Sequence, residues 1–189
     1  MAVTYSQMTE LGAEARPFDL PVANPQVDDI ARTTRRLDDY ADAEALVVVF
    51  MCNHCPYVVH VEDALVDVAR TYQGRGVPFV GISANDAQQY PADSFENMAL
   101  RAEQKRYPFP YLYDESQEVA RAYGAECTPD FFVYDRAHRL VYRGRFDETR
   151  PGQGVATGRD LRQALDQLLD TGDVAMEQYP AMGCNVKWK

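Results

Sequence analysis

The stretch VVVFMCNHCPYVVHVEDAL, residues 47–65, places two cysteines, Cys52 and Cys55, between an apolar run and an amphipathic one. Residues 45–50 are short, β-branched and uniformly apolar, which is typical of a strand buried on both faces. Pro56 is compatible with a helix only in its first turn, because proline has no backbone N–H to donate. The sequence therefore predicts a strand, then the Cys-Asn-His-Cys segment, then a helix that begins beside the second cysteine.

This position gives the cysteines a particular chemistry. The N-terminus of a helix presents unpaired N–H groups and the positive end of the helix dipole, and both stabilise an anion. A thiol at such a place is expected to have a lowered pKa and a larger thiolate fraction at neutral pH. His54, which lies between the two cysteines, can add positive charge or a hydrogen bond to a thiolate. Such an interaction favours the reduced form and makes the disulfide more oxidising.

Three roles are open to the cysteine pair. A zinc half-site usually has a second Cys or His pair at matched spacing, and the remaining cysteines, Cys127 and Cys184, are isolated in the sequence. They could still converge in space, so a metal or cluster site stays an alternative. A structural disulfide across so short a loop would add little stability in a reducing compartment. A strand, a Cys-x-x-Cys motif and a helix in this order favour a redox dithiol.

Composition limits the class of protein. The chain has 189 residues, 46% of them hydrophobic and 25% charged, with a formal net charge of −10 and a pI of about 4.7. A surface this acidic repels phosphate backbones and anionic membranes, so we expect neither a nucleic acid nor a membrane as partner. Residues 1–20 show no signal-peptide pattern, and the longest apolar run, at 46–51, is far shorter than a bilayer span. These features predict a cytoplasmic protein.

The rest of the chain alternates strands and helices. The predicted elements are a helix that ends at Gly74, a strand at 77–84, a helix at about 92–106, a short helix at 116–124, a strand at 130–135 paired with a strand at 139–146, and a closing helix at 157–172. This order predicts an α/β fold with a central mixed sheet flanked by helices. We expect a single domain, 1–189, with its core at about 17–170, an N-terminal extension and an irregular C-terminal tail at 171–189.

Three features together resemble the thioredoxin-fold superfamily, and within it the TlpA-like and peroxiredoxin-like (AhpC/TSA-related) oxidoreductases. They are the strand followed by CNHC at 52–55, the long insertion between VGISAND at 80–86 and FPYLYD at 109–114, and YGAECTPDFFVYD at 123–135. The resemblance covers about residues 17–170. CNHCPYV and the ending MGCNVKWK also resemble a bacterial peroxiredoxin-like subgroup whose members mostly lack an assigned substrate.

The resemblance implies a thiol–disulfide oxidoreductase with a thioredoxin-like fold and without a metal or other cofactor. Cys52 would be the exposed nucleophile that forms a mixed disulfide with the substrate, and Cys55 would resolve it. Thr128-Pro129 matches the loop that carries a cis-proline in this family, and the backbone of Thr128 would pair with an extended substrate peptide. The implied partners are a disulfide-containing protein or small molecule and a reducing partner.

The sequence also departs from these relatives. Thioredoxins carry a buried acid in the strand before the dithiol, but residues 46–50 are all apolar, so the acid is missing or comes from elsewhere. Peroxiredoxins need Thr or Ser three residues before the peroxidatic cysteine, an upstream proline and a distant arginine, and the positions three before the two cysteines hold Val49 and Cys52. Peroxidase activity is therefore the weaker enzymatic alternative. The non-enzymatic alternative is a protein that binds a metal, a cluster or a docking partner.

Three further residues have expected positions. Cys127 lies just before the Thr128-Pro129 loop and is expected on the rim of the surface that carries the dithiol. Cys184 lies in the C-terminal tail, and if the tail folds back onto that rim the two cysteines could form an accessory redox relay. His60 is expected on the polar side of the helix, in contact with solvent.

Overall fold

A computed structural model describes residues 3–30 and 32–189 of the chain. Within these two ranges the strands are β1 (Val3–Tyr5), β2 (Asp19–Pro21), β3 (Thr34–Arg36), β4 (Ala45–Phe50), β5 (Phe79–Ser83), β6 (Tyr111–Tyr113), β7 (Cys127–Thr128), β8 (Asp130–Asp135), β9 (Leu140–Gly144) and β10 (Met182–Asn185). The helices are α1 (Pro56–Gln73), α2 (Phe95–Lys105), α3 (Glu118–Tyr123) and α4 (Arg159–Thr171). In this described part of the chain, the helices are too short or too polar to cross a membrane.

The central sheet has the strand order β6-β5-β4-β8-β9. β4 is parallel to β5, and β5 to β6, whereas β8 runs antiparallel to both β4 and β9. The predicted α/β architecture with a mixed sheet is therefore confirmed. β4 lies in the middle of the sheet, and every one of its residues is buried. This explains why its sequence shows no alternation of polar and apolar residues.

Side chains of β4 alternate between two hydrophobic cores, as successive residues of a strand point to opposite faces. Val47 and Val49 face the core that contains Cys52, Cys55 and the buried sides of α1, α2 and α4. Phe50 faces the second core, which is closed by α3 and by the N-terminal extension that carries β2. Because both faces of β4 are covered, the chain reaches the cysteines, which follow this strand, from the interior of the molecule.

The helix expected at about 92–106 begins slightly later. Pro91–Asp93 forms a 3₁₀ turn, and Ser94 then caps α2 by accepting a hydrogen bond from the N–H of Asn97. The helix therefore starts at Phe95. The turn that replaces its first residues is part of the insertion between β5 and β6, and it carries a side chain of the candidate site.

The C-terminal tail at 171–189, which we expected to be irregular, contains a strand. β10 pairs antiparallel with β1 on one side and with β7 on the other. Gly183 makes the second pairing possible, because a methyl group on Gly183 would overlap the carbonyl group of Thr128. The expectation was wrong because this short strand has no periodic pattern of its own and is stabilised by partners far away in the sequence.

We expect Gly183→Ala to lower the free energy of unfolding by about 1–3 kcal/mol, the usual cost of overpacking a tight contact. The same change should speed amide exchange at residues 182–185, since β10 must move away from β7. Chemical denaturation and hydrogen exchange measure the two effects.

Gly74→Ala is the matched control, because the nearest atom to an added methyl group there is 3.6 Å away. If Gly183→Ala changed the free energy of unfolding no more than Gly74→Ala does, the close approach of β10 to β7 would be contradicted.

Candidate active site

Cys55 caps α1, in the position that Pro56 predicts for it. Cys55 is the N-cap residue and Pro56 opens the helix. The Cys55 sulfur is buried, 3.1 Å from the carbonyl oxygen of Thr128 and 2.8 Å from the sulfur of Cys184. The hydrogen bond with Cys52 is the largest of the effects that lower the pKa of Cys55 to about 5, against the opposing effect of burial. A thiolate is therefore favoured on the second cysteine of the motif, mainly by Cys52 and to a smaller extent by the backbone N–H of Val58 in the first turn of α1.

Cys52 does not have the environment expected of an exposed, acidic thiol. Only 1% of its surface is exposed, and its sulfur lies 3.5 Å from Thr128 Oγ1. Its hydrogen bond with Cys55, its burial and the nearby carboxylate of Asp93 raise the pKa of Cys52 well above its ordinary value. The expectation that Cys52 is exposed is therefore wrong, and the surroundings of the reduced pair favour a thiolate on Cys55 over one on Cys52.

His54 is held in place by a buried carboxylate. Its Nδ1 lies 2.6 Å from Asp93 Oδ2, and its ring stacks on Tyr90 with 5.2 Å between the ring centroids. With Nδ1–H donating to Asp93, Nε2 keeps a free lone pair, and it has no hydrogen-bond partner among the residues that the structure describes. The Cys52 sulfur, one ring nitrogen of His54 and one oxygen of Asp93 all lie within 4.8 Å of one another. His54 is thus an oriented base beside the first cysteine.

Asp93 is a residue of the site that no pattern in the sequence indicates. It is fully buried, in the 3₁₀ turn that precedes α2. Its Oδ1 accepts the N–H of Asn53 at 2.8 Å, and its Oδ2 accepts the side-chain amide of Asn85 at 2.8 Å in addition to His54. The insertion therefore supplies a buried acid that β4 lacks. The apolar run at 46–50 indicates that such an acid must come from elsewhere, but it does not indicate which residue provides it.

The loop opposite the cysteines contains a cis peptide bond between Thr128 and Pro129. The hydroxyl group of Thr128 contacts the sulfur of Cys52, and the carbonyl group of Thr128 contacts the sulfur of Cys55. We expected the backbone of Thr128 to be free for a substrate peptide, but Thr128 is 4% exposed and already pairs with Cys184 of β10. That expectation is corrected: the C-terminal strand of the chain occupies this edge.

The side chains of the two remaining cysteines, Cys127 and Cys184, lie on opposite faces of the sheet that β7 and β10 form. Cys127 is fully buried, and burial is the main reason that its pKa is raised, so the expected position on the rim is wrong. In the register of the two strands, Cys127 is opposite Asn185 and Thr128 is opposite Cys184. Neighbouring residues of a strand point to opposite faces. Cys184 therefore contacts Cys55, and the expected relay between Cys127 and Cys184 is not formed.

A buried ion pair lies behind the loop. Arg143 Nη2 is 3.1 Å from Asp130 Oδ2, and both side chains are almost completely buried. Burial raises the pKa of Asp130 to about 7 in spite of its charged partner. The guanidinium also donates to the carbonyl oxygen of Gly124 at 2.6 Å. A peroxidase would need an arginine free to bind peroxide, whereas Arg143 is committed to these partners.

A groove of about 200 Å³ borders the site and is lined in part by His60, Pro129 and Met182. We expected His60 to be solvated, but its Nε2 lies 2.8 Å from the hydroxyl of Thr149, which donates to Asp147 at 2.6 Å. The half-buried imidazole is therefore part of a hydrogen-bonded wall. The groove adjoins both the cis-proline and β10, so it offers a surface for a substrate beside the buried dithiol.

The mixed sheet, the cysteine pair at the start of α1 and the cis-proline loop define a thioredoxin-like protein. Residues 11–143 match the model of the AhpC/TSA family, so the chain belongs to this family. Both the predicted fold and the predicted kinship are confirmed. A comparison with curated proteins gave no match.

Solved structures extend the likeness to the whole chain. An uncharacterized conserved protein from Geobacillus kaustophilus is 49% identical, with 100% of this chain and 97% of that one covered and a TM-score of 0.92. A hypothetical protein from Sinorhizobium meliloti is 45% identical, with 98% of each chain covered and a TM-score of 0.92. The ending that forms β10 is therefore inside the region that these proteins share.

More distant structures support the fold alone. A thiol:disulfide interchange protein of the thioredoxin family from Chlorobium tepidum is 17% identical, with 86% of this chain and 99% of that one covered and a TM-score of 0.62. The peroxidoxin BcpB from Mycobacterium tuberculosis is 19% identical, with 87% and 99% covered and the same TM-score of 0.62. Proteins of this shape therefore include one named as a thiol:disulfide interchange protein and one named as a peroxidoxin.

The low pKa of Cys55 predicts a pH-dependent stability of the reduced protein. A cysteine in an unfolded chain keeps its proton up to about pH 8.5, whereas Cys55 in the folded protein keeps it only below about pH 5. The contribution of Cys55 to the free energy of unfolding therefore grows as the pH rises from about 5 to about 8.5, by at most ~1.4 kcal/mol per pH unit. This contribution is lost as the pH falls to about 5, the pKa of Cys55 in the folded protein. We expect the gap in stability between the wild type and Cys55→Ala to widen with pH over this range.

Denaturant unfolding in the presence of a reductant measures this gap. Cys127→Ala is the control, because the raised pKa of Cys127 keeps this thiol protonated in the folded protein throughout the range. A gap for Cys55→Ala that stays constant with pH, like that expected for Cys127→Ala, would contradict a thiolate on Cys55.

Proposed function

We propose that the protein is a thiol–disulfide oxidoreductase that uses Cys52 and Cys55 as its redox pair. One observation carries this proposal: the two cysteines lie at the N-terminus of α1 and both face Thr128 of the cis-proline loop, with Cys52 Sγ 3.5 Å from Thr128 Oγ1 and Cys55 Sγ 3.1 Å from the Thr128 carbonyl oxygen. A thiolate with a second thiol in contact is the arrangement that disulfide exchange requires. Membership of the AhpC/TSA family and the thioredoxin-like fold support the same chemistry.

Reduction of a substrate disulfide, RSSR′, takes two exchange steps. A thiolate of the pair attacks one substrate sulfur, the substrate S–S bond breaks, and R′S⁻ leaves. The other cysteine then attacks the first, which releases RS⁻ and leaves a Cys52–Cys55 disulfide. The substrate gains two electrons and the protein loses them, so a reducing partner must restore the dithiol.

The surroundings of the two sulfurs suggest how the steps are divided. We assign the first attack to Cys52, because the imidazole of His54, oriented by Asp93, lies within 4.8 Å of its sulfur and can take its proton as the sulfur attacks. Asp93 is a positioning residue that holds the ring for this transfer. Cys55 is already a thiolate in the resting pair, so it is ready to resolve the mixed disulfide.

The proposed partners follow from this chemistry. The substrate is a disulfide-containing protein or small molecule, which would dock in the groove lined by Pro129 and Met182. The reductant is a dithiol that attacks the Cys52–Cys55 disulfide. The net charge of −10 disfavours a nucleic acid or an anionic membrane as partner. A cytoplasmic location is part of the proposal, because a reducing compartment keeps the pair in its dithiol state.

The first test isolates the pair in a Cys127→Ser/Cys184→Ser protein. We expect equilibration with glutathione buffers, followed by differential alkylation and mass spectrometry, to show a single two-electron transition between the dithiol and a Cys52–Cys55 disulfide. Cys52→Ser in the same background should abolish it. If no reversible Cys52–Cys55 disulfide formed in any glutathione buffer, that result would falsify the proposed function.

The second test concerns proton transfer at Cys52. In the Cys127→Ser/Cys184→Ser background we expect His54→Gln to slow the first turnover with a small aromatic disulfide, 5,5′-dithiobis(2-nitrobenzoate), by about 100-fold near neutral pH, the size of a lost general base. Asp93→Asn should give a smaller loss, because the imidazole remains but is less well oriented.

His60→Gln is the matched control, since His60 lies in α1, six residues after His54, and bonds to Thr149. An equal loss of rate for His54→Gln and His60→Gln, or none for His54→Gln, would remove the proposed role of His54.

Metal binding is the second candidate function, because Cys52, His54 and Asp93 bring a sulfur, a nitrogen and an oxygen within 4.8 Å of one another. Both oxygens of the carboxylate already accept hydrogen bonds, from Asn53 and Asn85, which makes it a poor metal ligand. Elemental analysis separates the two functions. A metal protein would be purified with about one zinc or iron per chain and its cysteines would resist alkylation until the metal was removed.

A further inference from the structure

The strand β10 lies where a substrate peptide would bind. The family resemblance places an extended substrate against the backbone of Thr128, next to the cysteine pair. In this structure Cys184 of β10 is the residue opposite Thr128, and the pairing is antiparallel. Gly183 fits against the carbonyl group of Thr128 in a space that would not admit a larger residue. The chain therefore presents one of its own cysteines to its own dithiol, in the position of a substrate cysteine.

The sulfur of Cys184 reaches the dithiol directly. It lies 2.8 Å from Cys55 Sγ, and 3% of the residue is exposed. Cys52, Cys55 and Cys184 belong to the same buried cluster, so the three sulfurs share one water-poor environment. Cys55 is central in this arrangement, since it is three residues beyond Cys52 in the motif and its sulfur also contacts that of Cys184.

We propose that Cys184 is a third redox thiol, which converts the Cys52–Cys55 disulfide into a Cys55–Cys184 disulfide. This inference rests on the proposed function, since it needs the first disulfide to form. In the step, the thiolate of Cys184 attacks Cys55 Sγ, the Cys55–Cys184 bond forms, and the Cys52–Cys55 bond breaks. Cys52 leaves as a thiolate and receives the proton that Cys184 has lost. No electrons enter or leave the protein, because one disulfide replaces another.

The exchange has two consequences. Cys52 becomes a thiol again while the protein still stores the oxidising equivalents taken from the first substrate. β10 becomes covalently tied to the start of α1, so the edge of β7 that it covers stays closed. The reducing partner would then have to attack the disulfide between Cys55 and the C-terminal strand.

Cys127 shows why burial alone does not explain this contact. It is as deeply buried as Cys184 and lies in the strand next to β10, yet its side chain points away from the dithiol. A cysteine that only filled space could occupy either position. The one that faces Cys55 is the one that can exchange with it, and the other provides a matched control.

The experiment begins with the Cys52→Ser protein, in which Cys55 keeps Cys184 as its neighbour. Oxidised glutathione is added, the protein is quenched in acid and alkylated, and its peptides are mapped by mass spectrometry. We expect Cys55 to form a mixed disulfide with glutathione and Cys184 then to displace the glutathione, so that a Cys55–Cys184 link accumulates. Cys52→Ser/Cys184→Ser should stop at the mixed disulfide, and Cys52→Ser/Cys127→Ser should still form the link.

Two results would overturn the proposal. In the first, Cys55 of the Cys52→Ser protein stays bound to glutathione while Cys184 remains a free thiol. In the second, the oxidised wild type, which needs no substitution to fold, contains the Cys52–Cys55 link and no Cys55–Cys184 link. Failure of the proposed function looks different, because then Cys52–Cys55 does not form in the Cys127→Ser/Cys184→Ser protein.

Discussion

The junction between β4 and α1 is the constraint on which the site depends. β4 is covered on both faces, all of its residues are apolar, and it ends at Phe50, where the chain leaves the sheet. Pro56 is the first residue of α1, and proline is tolerated only at that end of a helix. The few residues between these limits include both cysteines, which are therefore held at a helix N-terminus and inside the core.

Because the cysteine pair is buried, the groups around it decide which of its two sulfurs carries the negative charge. Two thiols in contact in a water-poor site do not both ionise, so one proton is shared and the neighbours decide which sulfur keeps it. An anion on Cys55 is favoured mainly by the hydrogen bond with Cys52, and further by a backbone N–H in the first turn of α1. An anion on Cys52 is disfavoured by its hydrogen bond with Cys55, by its burial and by the nearby carboxylate of Asp93. The pair therefore holds a single negative charge, and this charge is favoured on Cys55, the proposed resolving residue, rather than on Cys52, the proposed attacking residue.

The C-terminal strand changes how such a site can be used. A thioredoxin-like site with a free edge beside its cis-proline is open to an extended peptide. Here that edge carries β10, and the exposed surface beside it is the groove bordered by Pro129 and Met182. The same strand buries Cys184 against Cys55. Closure of the edge and addition of a third sulfur are thus two effects of one strand pairing, and Gly183 is the residue that permits the required approach.

Much of the fold and the place of the dithiol could be predicted because their signals are local. The apolar run at 45–50, the helical spacing after Pro56 and the Thr-Pro pair before an apolar strand each occupy a short window of sequence. These patterns predicted the mixed sheet and the position of Cys55 at the start of α1.

Only the tertiary structure decided the rest. The pairing of β10 with β7, the carboxylate that Asp93 brings to His54, and the burial of Cys52 and Cys127 all join segments that are far apart in the chain. Such contacts depend on backbone hydrogen bonds and on the packing of distant elements, which leave no periodicity in the residues that form them. The sequence alone therefore determined where the dithiol lies, and the tertiary structure decided which sulfur carries the charge and which third sulfur it meets.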